Sequence, residues 1–108
     1  MADYTPGQVA ALLRAGAIQL IDVRQPDEHA AGHIAGSRLV ELSQLSGRAR
    51  TIDPDRPIVF YCRTGSRSAM ATEAFTRAGF EAHNMAGGLV DWVSAGLPLE
   101  PAGGHVAH

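Results

Sequence analysis

Hydrophobic and polar positions divide the chain into alternating helical and extended segments. Thr5-Pro6 has the form of a helix start, with Thr5 as cap and Pro6 at the first helical position. Val9, Leu12 and Leu13 then recur at helical spacing, and Gly16 closes the run. Residues 18–23 are apolar, bounded by Gly16 and by Arg24-Gln-Pro26, and read as a buried strand. Residues 26–31 read as one short helix stopped by Gly32. Residues 37–40 are a weaker strand. Leu42, Leu45 and the arginines after them predict a polar-faced helix before Asp53-Pro54. Residues 57–61, Pro-Ile-Val-Phe-Tyr, form the strongest strand, because a β-branched and aromatic run suits a sheet buried on both faces. Residues 66–78 read as a helix with Met70, Ala71, Ala74 and Phe75 apolar and Gly79 as its stop. Residues 80–85 predict a further strand. Gly87-Gly88 opens a last helix carrying Leu89, Trp92 and Val93, which ends at Gly96.

Strands alternating with helices imply βα units and an α/β fold. Its sheet is mostly parallel, with helices on both faces. At 108 residues the chain holds one core, here residues 1–100. Residues 101–108 are Gly, His and Ala with little to pack, and read as a flexible tail. Sites in such sheets lie beyond the C-terminal ends of the strands. Three loops fall there: residues 22–24, 62–68 and 86–88.

Composition removes several classes of function. Net charge is −2, so nothing points to nucleic acid. No apolar run approaches the roughly 20 residues that span a bilayer, and residues 1–6 lack the pattern of a secretory signal. There is no Lys, so Schiff-base chemistry and a Gly-Lys phosphate loop have no residue to run on. The single cysteine, Cys62, excludes an internal disulfide, a Cys-x-x-Cys couple and a multi-cysteine zinc site. A lone thiol fits a reducing cytoplasm.

Cys62-Arg-Thr-Gly-Ser-Arg-Ser68 joins the best strand to a helix. Successive N–H groups in a tight loop, with the positive end of the following helix, make an anion-binding concavity. Gly65 can take a positive φ and let the loop curl over the sulfur. Arg63 and Arg67 add positive charge. These features favour the thiolate, which is the nucleophile. A lone Cys is by default a small buried hydrophobe, but such a residue needs neither a glycine curl nor two arginines at a strand end. Four residues stand between Cys62 and Arg67. Cysteine phosphatases have one more, which makes room for a tetrahedral phosphate; the smaller ring suits a terminal sulfur.

Leu20-Ile-Asp-Val-Arg-Gln-Pro-Asp-Glu28 followed by Gly32-His-Ile-Ala-Gly36 resembles the N-terminal signature of single-domain rhodaneses, the thiosulfate sulfurtransferases. The Cys62 loop resembles their active-site loop. Asn84-Met-Ala-Gly-Gly-Leu-Val-Asp-Trp92 is similar to their C-terminal segment. The matches run in family order over residues 4–99. Departures at Ala35 and at Arg38-Leu-Val-Glu41 fall in a connecting strand and bear on turn geometry.

This resemblance implies a rhodanese-like fold with a five-stranded, mostly parallel sheet. It implies that Cys62 takes a sulfane sulfur as a persulfide and passes it to a thiophilic acceptor: cyanide, a small thiol or a protein thiol. Arg63, Thr64, Gly65, Ser66, Arg67 and Ser68 are placed around that sulfur as substrate-binding groups. Asp22, Arg24 and Glu28 are expected to brace the site rather than do chemistry. No cofactor or metal is expected, and neither nucleic acid nor membrane is an expected partner. His29 and His33 have zinc-binding spacing, but Gly32 lies between them and should end the helix, and Glu28 precedes His29, so the order of a zinc protease fails and no metal site is expected there. Two alternatives stay open: a small cysteine phosphatase or arsenate reductase of the same fold, and a non-catalytic sensing or adaptor module.

Overall fold

The computed structural model describes residues 3–108. Its elements are helix α1 (Pro6–Arg14), strand β1 (Gln19–Asp22), helix α2 (Pro26–Ala31), strand β2 (Arg38–Leu39), the short helix α3 (Leu45–Arg48) between two 3-10 turns, strand β3 (Ile58–Tyr61), helix α4 (Ser66–Arg77), strand β4 (Ala82–Asn84) and helix α5 (Gly88–Ser94). All strands are parallel, in the order β2-β1-β3-β4.

Local chemistry accounts for most boundaries. Thr5 and Gln8 form a reciprocal capping box at the start of α1: Gln8 N–H donates to Thr5 Oγ1 at 3.1 Å, and Thr5 N–H to Gln8 Oε1 at 2.9 Å. Pro26 sits in the first turn of α2 and Gly32 caps its end. The helix expected after Leu42 is broken into single turns, Leu42–Gln44, Leu45–Arg48 and Ala49–Thr51. Gly47 lies in its middle, and Thr51 Oγ1 bonds back to the Arg48 carbonyl at 2.7 Å. Both features oppose a continuous helix.

Among the described residues the sheet has four strands rather than five, and beyond β4 Tyr4 is bridged to Met85. Tyr4 N–H donates to the Asn84 carbonyl at 3.0 Å, and Ala86 N–H to the Tyr4 carbonyl at 2.8 Å. The chain then turns directly into α1, and Pro6 has no N–H to extend a ladder.

Two apolar layers cover the sheet, following the two-residue alternation of its strands. Ile21, Val23, Ile58, Phe60 and Cys62 face Ala71 and Phe75 of α4. Leu20, Val59 and Tyr61 face Val9 of α1, Ile34, and Leu89 and Trp92 of α5. Burial of β3 on both faces explains why its sequence is uniformly apolar. Residues 101–108 lie against the second layer: Val106 packs on it, and His105 N–H donates to the Ala31 carbonyl at 3.0 Å. Composition understated this contact because it rests on one valine and on the missing side chain of Gly32, where a Cβ would strike the His105 backbone. No helix among the described residues is long and apolar enough to cross a membrane.

Candidate active site

Strand β3 delivers Cys62 to the C-terminal edge of the sheet, and the chain curls back over its sulfur. Gly65 makes the curl with φ of 106°, a left-handed conformation in which a Cβ is strained. Its N–H points at Cys62 Sγ from 3.1 Å. Ser68, in the first turn of α4, adds its hydroxyl at 3.3 Å and its N–H at 3.5 Å. Burial opposes ionisation of Cys62. The donors from Ser68, Gly65 and Thr64 outweigh it and hold the thiol pKa below its ordinary value. Cys62 itself is fully buried, while Thr64 and Ser66 form the exposed outer side of the loop.

The loop is held from α5 and from β4. Leu89 N–H donates to the Cys62 carbonyl at 2.9 Å and Val90 N–H to the Arg63 carbonyl at 3.0 Å. This close approach depends on Gly88, where a Cβ would lie 2.5 Å from the Arg63 carbonyl oxygen. Asn84 Nδ2 donates to the Gly65 carbonyl at 3.2 Å. Sequence reasoning missed Asn84 as a support; it lies in the third family-like segment, but nothing local tells a strand amide which loop it will meet.

Arg67 does not stand as a free cation over the sulfur. Its guanidinium grips Glu28 of α2 at 2.7 and 2.9 Å through both carboxylate oxygens. This contact lowers the Glu28 pKa to about 2 and raises that of Arg67. A cleft of about 300 Å³, lined by Val23, Gln25, Glu41, Leu42, Ser43 and Arg67, opens beside the pair. Arg63 reaches the other way, with one guanidinium nitrogen 3.2 Å from His108 Nδ1.

Asp22 and Arg24 are a fully buried ion pair, not a surface strand-end pair. Asp22 accepts from Arg24 Nε, Nη2 and backbone N–H at 2.7–3.1 Å. In register with Tyr61, Asp22 points away from the layer that contains Cys62. Arg24 Nη2 also donates to the Gly32 carbonyl at 2.8 Å, and His29 Nδ1 lies 2.9 Å from Asp22. The pair therefore holds α2 at His29 and at its C-terminal cap Gly32, and α2 carries Glu28 to Arg67. The expected brace and the expected anion-binding loop are connected through one ion pair.

A parallel α/β sheet with a cysteine nested in loop N–H groups at its C-terminal edge defines a class of small, cysteine-centred domains. The rhodanese-like domain family matches residues 5–95, and the chain belongs to that family. The uncharacterized protein YqhL of Bacillus subtilis is 43% identical over 75 residues, covering 68% of this chain and 60% of that protein. The HTH-type transcriptional regulator Rv0324 of Mycobacterium tuberculosis is 39% identical over 105 residues, covering 92% of this chain and 46% of that protein. The thiosulfate sulfurtransferase GlpE of Pseudomonas aeruginosa is 34% identical over 100 residues, covering 92% of this chain and 89% of that one. Among solved structures, a rhodanese-related protein from Thermoplasma volcanium superposes with a TM-score of 0.85 at 26% identity, covering 92% of this chain and 97% of the other.

Proposed function

We propose that the protein is a thiosulfate sulfurtransferase that works through a Cys62 persulfide. The Cys62 thiolate attacks the outer sulfur of thiosulfate or a similar sulfane donor. The donor's S–S bond breaks and sulfite leaves with its electron pair, so Cys62 carries one extra sulfur. An acceptor, cyanide in an assay or a small or protein thiol in the cell, then attacks that sulfur and regenerates the thiolate. This is covalent ping-pong transfer.

The observation that carries the reading is the ring of donors at 3.1–3.5 Å around Cys62 Sγ. The same donors suit the terminal sulfur of a persulfide, as preorganised N–H groups suit developing negative charge. Residues 63–68 are the donor-binding groups of this reading, with Thr64 and Ser66 on the exposed side of the loop and Arg67 held by Glu28. No cofactor is needed for this cycle. The lone thiol agrees with a cytoplasmic setting, where thiols stay reduced.

The test is intact-protein mass spectrometry. Thiosulfate should add one sulfur, roughly 32 Da, and cyanide should remove it. Cys62→Ser should show no adduct. Absence of the adduct from the parent protein across thiosulfate and other sulfane donors would overturn the reading. Hydrolysis of an aryl phosphate in its place would assign the loop to phosphate chemistry.

A further inference from the structure

The cleft beside the Glu28–Arg67 pair runs along the cysteine that would carry the sulfur. Val23 N–H donates to the Tyr61 carbonyl at 3.0 Å, one residue beyond the register in which Asp22 faces Tyr61. Val23 and Cys62 are therefore neighbours on adjacent parallel chains, one strand spacing of about 4.8 Å apart, and both belong to the layer under α4. Val23 lines the cleft, and so does Arg67 of the Cys62 loop. The facing wall is the segment after β2. There Leu42 N–H donates to the Val23 carbonyl at 3.0 Å, and Glu41, Leu42 and Ser43 line the space.

The charges around this cleft do not balance. Arg67 and Glu28 cancel each other through their two-point contact. Arg38 is turned away, with its guanidinium on the carbonyl and Oγ1 of Thr51. Glu41 is half-buried, and its carboxylate has no hydrogen bond or ion pair among the described residues. The cleft thus carries one uncompensated negative charge, set between the apolar side chains of Val23 and Leu42, and low-dielectric walls focus such a field into the space they enclose. Glu41 lies in Arg38-Leu-Val-Glu41, where the chain departs from the family-like pattern, so this charge is a feature of the chain's own sequence.

We propose that this cleft is the acceptor subsite of the Cys62 persulfide and that it selects a small thiol carrying an ammonium group, which Glu41 holds. The assignment rests on the sulfur-transfer reading of Cys62. The cleft measures about 300 Å³, at the small end of ligand pockets, which suits a short aminothiol. In the transfer the acceptor thiolate attacks the outer sulfur of the persulfide and a new S–S bond forms. The bond between that sulfur and Cys62 Sγ breaks, and its electron pair stays on Cys62 as the thiolate. The acceptor leaves as its own persulfide anion, and the ammonium keeps its protons throughout. Glu41 repels an anionic thiol and gives a neutral one no electrostatic advantage.

Three thiols of similar size separate charge from shape: cysteamine, 2-mercaptoethanol and 3-mercaptopropionate. Parent and Glu41→Gln proteins are loaded with thiosulfate, desalted and mixed with each thiol, and loss of the adduct of roughly 32 Da is followed by mass spectrometry. The ratio of parent to variant rates cancels each thiol's own reactivity and leaves the loading step out. It should be about 5 for cysteamine, about 1 for 2-mercaptoethanol and below about 1 for 3-mercaptopropionate, the size of effect expected of an ion pair open to solvent. In the parent, added salt should slow cysteamine relative to 2-mercaptoethanol, because it screens the Glu41 charge. The same ratio for all three thiols, whatever its value, or a parent without that salt dependence, would overturn the acceptor assignment while the adduct still stands for the persulfide. No adduct on loading would overturn the sulfur-transfer reading itself, and the acceptor assignment with it.

Discussion

Glu28 holds Arg67 through both carboxylate oxygens, at 2.7 and 2.9 Å, and so joins α2 to the first turn of the helix that follows the Cys62 loop. The two residues are 39 positions apart in sequence. The contact fixes where the guanidinium of the active-site loop can point. Glu28→Gln should keep the side chain's shape but loosen that grip. Stability should fall by about 1 kcal/mol, as expected for a partly exposed charged pair. KM for thiosulfate should change as Arg67 is freed. Arg67→Ala should lower turnover more than it lowers stability, and Arg67→Lys should recover only part, since an ammonium cannot reproduce the planar fork. Equal kinetics in all four proteins would remove the pair from the mechanism.

Burial opposes ionisation of Cys62, and the Ser68 hydroxyl is one of the donors that lower its pKa against that burial. Hydrogen bonds to the anion lower a pKa, so removing the donor raises it. In Ser68→Ala the midpoint of the pH profile for Cys62 alkylation should move upward, toward the ordinary thiol value. Near neutral pH the thiolate fraction, and with it the rate of sulfur uptake, should fall. An unshifted profile would assign the depressed pKa to the backbone donors of Ser68, Gly65 and Thr64.

Gly88 and Gly96 separate a steric requirement from a conformational one. Both have positive φ, 61° and 80°, but only Gly88 faces backbone atoms, while Gly96 faces open space. Gly96→Ala should cost about 1 kcal/mol, the strain of a left-handed alanine. Gly88→Ala should cost at least about 2 kcal/mol because it also collides with the Cys62 and Arg63 carbonyls. It should impair sulfur transfer as well. Denaturant unfolding of the two variants, with activity at saturating donor, checks both parts.

The buried Asp22–Arg24 pair should be costly to break on one side only. Asp22→Asn leaves Arg24 buried without a full countercharge and should lose about 3 kcal/mol. Asp22→Leu combined with Arg24→Met should lose less than Asp22→Leu alone, because no buried charge is left unpaired. A double variant no more stable than that single variant would show that the hydrogen bonds to Gly32 and His29, rather than charge compensation, dominate the brace.

Ring size is the fifth point of test. One Gly inserted between Thr64 and Gly65 should pull the Gly65 N–H away from Sγ and reduce sulfur transfer on the order of 100-fold, the cost of about 1 Å of misplacement. Transfer at the parent rate in a folded insertion variant would show that loop length does not select sulfur over phosphate.

The sequence by itself determined the alternation of strands and helices, because burial on both faces leaves an uninterrupted apolar run in β3 and burial on one face leaves helical spacing in α4. It also determined the Cys62 loop, whose glycine, arginines and strand-end position are all local, and the bounds of α2, set by Pro26 and Gly32. Tertiary structure decided the rest. The resemblance implied five strands without placing the fifth; beyond β4 Tyr4 makes one bridge, and Pro6 stops the ladder there. Arg67 meets Glu28, Asn84 meets Gly65, and Gly88 admits the loop's carbonyls only because α2, β4 and α5 converge on one end of the sheet. The imidazoles of His29 and His33 stack across a glycine that local reasoning reads as a helix stop, in a turn held by Arg24 on the Gly32 carbonyl and by Glu100 on His33. Such pairings carry no periodic signal: each depends on a side chain reaching a group brought near by packing, and sequence spacing does not encode that distance.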